Sequence, residues 1–283
     1  MRRILLVLDA IKFEHTVFAL PFAYIGMVLA ARGAVTWQQV WWVTVAMAGA
    51  RTLAMAANRV IDRHMDARNP RTAMRALPAG RIATREMVLL GAVGLVALVV
   101  GAAQLNDLCL RLLPIAAVVL VGYNYTKRFT WASHLVLGFA DGMAPVGGWI
   151  AVTGSLDLEA ALLGFAVMFW IGGFDMIYAC QDIEFDRREG LYSIPAQFGV
   201  AAGLWASAAS HLLTVVLLAT VGALLGLGIW YWVGLAATAG LLVYEHSLVR
   251  PNDLSRLNMA FFNMNAYIAV TMFVFALGAV YVK

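Results

Sequence analysis

Two short acidic segments carry the residues best suited to chemistry. NRVIDRHMD places Asn58, Asp62 and Asp66 four residues apart, and YACQDIEFD places Tyr178, Asp182 and Asp186 at the same spacing. Residues four apart share one face of a helix, with Cβ atoms about 5–6 Å apart. Each segment is therefore expected to form a stripe of oxygen donors. Two such stripes on facing helices can hold Mg²⁺, which takes one or two carboxylates together with substrate phosphate rather than a closed protein cage. The expected metal ligands are Asn58, Asp62, Asp66, Asp182 and Asp186, with the four carboxylates as the catalytic set. Arg51 precedes Asn58 by seven residues and Asp175 precedes Asp182 by seven, so each extends its stripe by two turns, ~10.5 Å of rise. One such segment alone would read as solvated helix-end charge. Two copies, each continued by an ionisable residue deeper in an apolar run, read as a site, because charge inside a membrane span is costly.

Basic residues surround these stripes. The loop ARNPRTAMRALPAGR, from Ala67 to Arg81, carries Arg68, Arg71, Arg75 and Arg81, with Pro70, Pro78 and Gly80 as turn-formers. A second segment, YNYTKR, adds Tyr123, Lys127 and Arg128. Arginine forks match phosphate oxygens in pairs, lysine meets them as a point charge, and tyrosine hydroxyls donate hydrogen bonds. Plain topological signalling would also place arginines here. Together with the acidic stripes, they point to a diphosphate bridged to carboxylates by Mg²⁺. The site would open onto hydrocarbon, so the substrate is expected to carry a long lipid tail. The expected substrate-binding residues are Arg51, Asn58, Arg68, Arg71, Tyr123, Lys127, Arg128, Asp175 and Tyr178.

The elements that must position them are membrane spans. Of 283 residues, 63% are hydrophobic and 13% charged, with mean hydropathy +0.81. Ordinary soluble domains are about 45–50% apolar and about 25% charged, so a soluble enzyme, a disordered tail and a disulfide-stapled module are excluded. Apolar runs predict an all-α polytopic fold of nine transmembrane helices around a central cavity, roughly 14–31, 38–59, 84–104, 108–126, 133–153, 159–180, 199–221, 227–246 and 259–281. A single domain over 1–283 accommodates them, with motif loops about 58–82, 123–132 and 178–196 on one side. Sixteen of the 20 Lys and Arg then fall on the side of the N-terminus, among them Arg2, Arg3 and Lys12. That bias predicts a cytoplasmic N-terminus and an external C-terminus, and it accounts for the net charge of +4 without nucleic acid. MRRILLVLDAIK reads as an interfacial helix rather than a signal peptide, because its apolar run stops at Asp9. Cys109 and Cys180 fall near opposite membrane faces and should not pair.

These residues resemble the UbiA superfamily of intramembrane prenyltransferases over almost the whole chain. Its members carry an NDxxDxxxD-type motif after the second helix and a DxxxD-type motif after the sixth. NRVIDRHMD and QDIEFD stand at those places here. IKFEHTVFALPFAYIG, NPRTAMRALPAGR, YNYTKRFTWASHLVLG and YACQDIEFDRREGLYSIPAQFG are similar to the 4-hydroxybenzoate polyprenyltransferase branch, nearest the subgroup assigned to menaquinone synthesis by the futalosine route. Two departures stand out. Arg59 replaces an Asp common in the family and removes one ligand from the first stripe. Asn124 replaces a Pro before the basic pair, a change expected to alter only loop geometry.

The resemblance implies Mg²⁺-dependent transfer of a polyprenyl chain from its diphosphate to an aromatic carboxylic acid, in ubiquinone or menaquinone biosynthesis. It also implies a bacterial-type inner membrane enzyme whose active site opens to the cytoplasm. Arg51 is the candidate for the acceptor's carboxylate, with Lys12 beside Glu14 and His15 as rival and a buried pair with Asp141 or Asp175 as the competing explanation. An acidic group, Asp182 among them, is expected to take the ring proton. His211 and His246 read as isolated packing residues, and Asn263 and Asn265 as hydrogen bonds between helices. Haem, chlorophyllide or 1,4-dihydroxy-2-naphthoate are alternative acceptors. A transporter is disfavoured, because transporter sites lie near the midplane and these carboxylates lie at helix ends.

Overall fold

A computed structural model describes residues 6–7, 9–11 and 13–282. Arg2, Arg3, Lys12 and Lys283 lie outside the described residues, as do the side chains of Glu14 and His15. The described chain is helical apart from turns and one isolated bridge, Arg250 with Asp253. Its long helices are α1 (Phe13–Ala31), α2 (Trp37–Arg68), α3 (Thr84–Ala103), α4 (Asp107–Thr126), α5 (Ser133–Thr153) and α6 (Leu158–Ala179). Two short helices follow, α7 (Ile183–Glu189) and α8 (Ile194–Phe198), and then α9 (Val200–Leu224) and α10 (Ile229–Ser247). A π-helical turn, Met259–Met264, leads into α11 (Asn265–Tyr281).

Among the described residues, six helices (α2 to α6 and α9) are long and apolar enough to cross a membrane. Leu20–Ala31 and Asn265–Tyr281 are shorter apolar helices. Large apolar side chains such as Trp37, Val93, Val118, Trp205 and Val243 face outward. That is the reverse of a soluble surface and suits a lipid surround.

The helices pack as neighbours that close around a centre: α1 on α5, α5 on α6, α6 on α9, α10 on α11 and α11 back on α1. On the other side α2 packs on α3, and α4 touches α2, α3 and α5. Without water inside a bilayer to drive helices together, close backbone approach supplies much of the contact. Gly49 and Gly94 show how. A Cβ on Gly49 would lie 2.5 Å from the Leu98 nitrogen, and one on Gly94 2.7 Å from the Leu53 nitrogen. Larger residues would therefore push α2 off α3. The main core joins Phe22, Ile25, Trp149, Leu163, Trp170, Tyr231 and Met272 from α1, α5, α6, α10 and α11.

The first acidic segment follows directly from this packing. A capping box at Thr36 and Gln39 starts α2, which then runs 32 residues without Pro to Arg68. Its continuous length carries Asn58, Asp62 and Asp66 on one face, as the spacing predicts. The second segment departs from expectation. The helix α6 stops at Ala179, a turn covers Cys180 and Gln181, and Asp182 sits at the N-cap of the seven-residue α7. Tyr178, Asp182 and Asp186 thus do not form a stripe on a single helix. A short polar helix is marginal by itself, and left-handed Gly190 (φ +67°) ends it by accepting a conformation that glycine adopts at little cost. Cys109 and Cys180 are free thiols, as expected.

Candidate active site

Two cavities meet the same face of α2. A polar one of about 250 Å³ is lined by Asn58, Asp62, Asp66, Asn69 and Met65 of the α2 end, by Tyr123, Asn124, Thr126 and Lys127, and by His134, Asp175, Tyr178, Asp182 and Asp186. An apolar one of about 240 Å³ is lined by Val43, Ala46, Met47, Ala50 and Arg51, together with residues of α3, α4 and α5. Arg51 and Asp141 are the charged members of the apolar lining.

In the polar cavity acids and bases alternate. Asp62 is buried, and its Oδ2 receives Lys127 Nζ while its Oδ1 receives Arg128 Nη2 at 3.0 Å. Asn58 Nδ2 donates to the same carboxylate at 3.2 Å and to Asn124 Oδ1 at 2.9 Å. Asp66 is also buried, and Arg75 Nη1 reaches both of its oxygens at 2.9 Å. On the facing wall Arg71 grips Asp182 with two bonds, Nε to Oδ1 at 3.1 Å and Nη2 to Oδ2 at 2.6 Å. Arg71 also donates to the Tyr178 hydroxyl at 2.8 Å, with its guanidinium 5.1 Å from that ring's centre. Asn69 Nδ2 completes this wall with a 3.2 Å bond to Asp182. Asp186 accepts from the Ser193 hydroxyl at 3.1 Å. Burial, with the Asp182 carboxylate nearby, pushes Asp186 up to about 6, against the pull of the Ser193 bond.

Most expected site residues are therefore brought together, but not all. Arg68 lies outside the lining and pairs on the surface with Glu189 at 2.8 Å, with 60% of its side chain exposed. Its position at the last turn of α2 turns it away from the Asp62 face. Arg51 forms the buried pair with Asp141, at 3.0 Å, while its Nε is buried without a hydrogen-bond partner. Asp175 pairs with His134 instead.

Three further readings change. Asn124 is 3% exposed and fixes Asn58, so its effect extends beyond loop geometry. Arg59 is buried and bonds the Asn58 side chain at 3.1 Å and the Ala10 carbonyl at 2.9 Å, which makes it a strut under the first stripe. His211 and His246 are not isolated, since Nδ1 of one lies 2.9 Å from Nε2 of the other. Asn69, His134 and Ser193 join the site without having been expected there, whereas Asp141 is one of the two partners expected for Arg51. A signal existed for Asn69, which lies three residues beyond Asp66 and at the C-cap of α2. None existed for His134, whose partner Asp175 is 41 residues away, while Ser193 stands only seven residues beyond Asp186.

The donor set suits a hard cation held jointly with phosphate. Carboxylate and amide oxygens line two walls, and basic groups stand ready for phosphate oxygens. Among the described residues no three His, Cys, Asp or Glu side chains converge as a closed metal cage.

Residues 19–277 match the UbiA prenyltransferase family. A 4-hydroxybenzoate octaprenyltransferase from Chromohalobacter salexigens is 36% identical over 75% of this chain and 71% of its own length. The apo structure of a UbiA homologue from Aeropyrum pernix K1 superposes with TM-score 0.86 at 34% identity, covering 93% of this chain and 97% of that one. A UbiA homologue from Archaeoglobus fulgidus bound to DMAPP and Mg²⁺ shares the fold, with TM-score 0.75 at 19% identity over 98% and 99% of the two chains. With six apolar helices of spanning length and a family match across nearly its whole length, the chain belongs to the UbiA prenyltransferase family and is an integral membrane prenyltransferase.

Proposed function

We propose that this enzyme transfers a polyprenyl chain from prenyl diphosphate to an aromatic carboxylic acid, 4-hydroxybenzoate or a dihydroxynaphthoate, with Mg²⁺ as cofactor. The observation that carries this reading is the succession of two cavities along α2. A polar chamber of paired carboxylates and cations lies against its last turns, and an apolar chamber that contains one ion pair lies against its middle. A diphosphate headgroup suits the first chamber and a prenyl tail the second. The names of the relatives support the acceptor class, and the DMAPP and Mg²⁺ of the archaeal neighbour support the donor and metal.

In this reading Asn58, Asp62 and Asp66 hold the metal from one wall, and Asp182 and Asp186 from the other. Mg²⁺, when bound, supplies Lewis-acid neutralisation of the departing diphosphate. Arg71, Lys127 and Arg128 exchange part of their pairing with Asp182 and Asp62 for phosphate oxygens, with Tyr123 and Tyr178 as neighbouring hydroxyls. The allylic cation left by ionisation faces an apolar chamber that excludes water until the ring attacks. Arg51 keeps its bond to Asp141 and, as a lining residue of the apolar chamber, offers its remaining terminal N–H groups to the acceptor's carboxylate.

The same reading gives nine spans, adding α1, α10 and α11 to the six long apolar helices, as one domain. The N-terminus is then cytoplasmic and the polar chamber opens to the cytoplasm of a bacterial-type inner membrane. A membrane assay with an all-trans prenyl diphosphate, each aromatic acid and Mg²⁺ tests the function. Product should form with one acid and cease with EDTA; formation unchanged by EDTA would reject the metal. Arg51→Leu should raise KM for the acceptor roughly tenfold, the loss of one charge-assisted bond at about 1.4 kcal/mol, with little change for the diphosphate. Equal effects on both substrates would reject its role.

A further inference from the structure

His134 is buried at the start of α5 and lines the polar cavity. Its Nδ1 lies 2.7 Å from Asp175 Oδ2, and the Ile194 backbone N–H donates to its Nε2 at 3.3 Å. A nitrogen that accepts carries no proton, so the neutral ring has its proton on Nδ1 and donates it to Asp175. The tautomer is thereby set by a backbone group.

Asp175 differs from its neighbours. Asp62, Asp66 and Asp182 are each held by a Lys or Arg, as is Asp141, and protonating any of them would break an ion pair. Among the described residues, Asp175 and Asp186 are the cavity carboxylates with no Lys or Arg ion pair. Asp186 lies beyond the α6 break, on the short α7. Asp175 lies within α6, a turn before its end, and within electrostatic range of Asp141 in the apolar lining.

We propose that His134 is a positioning residue that holds Asp175 as the acceptor of the ring proton. The inference rests on the aromatic-acceptor reading above. In the step, the allylic C–O bond breaks and its electron pair leaves with the diphosphate. A ring carbon forms the new C–C bond, and the proton on that carbon passes to Asp175 while its C–H pair restores aromaticity. The His134 Nδ1–H bond aims Asp175 without giving it a fixed positive charge. The Ile194 bond fixes the ring and, through neighbouring Ser193, joins this carboxylate to the segment that holds Asp186.

Two substitutions separate the arms of the imidazole. His134→Asn keeps a donor near the Nδ1 position and loses the reach to Ile194. His134→Gln keeps an acceptor near Nε2 and loses the donor to Asp175. With the purified full-length enzyme, prenyl diphosphate and 4-hydroxybenzoate, Gln should lower kcat about 10–100-fold, the usual cost of losing a supporting hydrogen bond behind an active group. Asn should lose distinctly less, and KM for the prenyl diphosphate should stay near wild type in both. Ring-deuterated acceptor should slow the Gln variant and leave wild type unaffected, because proton removal becomes limiting only there. Equal losses for Asn and Gln, a KM that rises as kcat falls, or no isotope effect in the Gln variant would each overturn the proposal. A Tm in detergent matched to wild type shows that the variants fold. Absence of turnover by wild type with every aromatic acid would instead overturn the acceptor reading.

Discussion

The two carboxylate-bearing walls of the polar chamber are built on different principles. The first lies on an unbroken helix, with Asp62 and Asp66 buried and Asn58 locked between Asp62, Asn124 and Arg59. The second straddles a break. Asp182 stands at the N-cap position of a seven-residue helix without a side-chain capping bond, Asp186 accepts from Ser193, and Arg71 reaches across from another loop. Similar spacing in sequence therefore gives one rigid wall and one assembled from loops.

The largest effect should come from disabling both walls at once. Asp62→Ala combined with Asp182→Ala should lower product formation by more than about 10³-fold, beyond the loss of one donor to developing charge. Full product formation in a membrane assay would reject the metal site. A smaller effect separates the walls by stability. Asp62→Asn leaves Lys127 and Arg128 facing a neutral group, and the loss should approach the low end of about 3–5 kcal/mol, since both cations are partly exposed. Asp186→Asn should cost less than about 1 kcal/mol, because only the Ser193 bond is altered. Thermal unfolding in detergent measures both, and equal losses would erase the distinction. Gly190→Ala, which places a Cβ in a left-handed turn, should also cost about 1 kcal/mol. It should slow turnover through the second wall alone, so a matching change in the first-wall variants' stability would count against the separation.

The first wall was legible because a helix period and a helix agree over Asn58, Asp62 and Asp66. The second was legible in its residues and not in its shape. Periodicity continues through YACQDIEFD, and neither Gly nor Pro marks the break. The weak cue was Asp182 itself, an N-cap type of residue placed before a new short helix. Arg51 could be placed inside a span from sequence, but its choice between Asp141 and Asp175 depends on how α2 meets α5, which spacing does not encode. His134 and Asp175 are 41 residues apart, and His211 and His246 are 35 apart. Pairs of that kind are made by helix packing, so single residues on separate helices look inert until the helices are assembled. Asn124 and Arg59, read as departures, proved to brace the same asparagine, a compensation visible only in three dimensions.

The apolar chamber has a length as well as a lining. Its α2 face extends from Arg51 to Val43, roughly 12 Å at 1.5 Å per residue. A chain of many isoprene units is far longer than that and must continue out among the lipids. With the prenyl diphosphate donor proposed above, the protein would inspect only the units next to the diphosphate, and the bilayer would hold the rest. Discrimination between long donors would accordingly follow which prenyl diphosphates the cell supplies, more than any ruler within the fold.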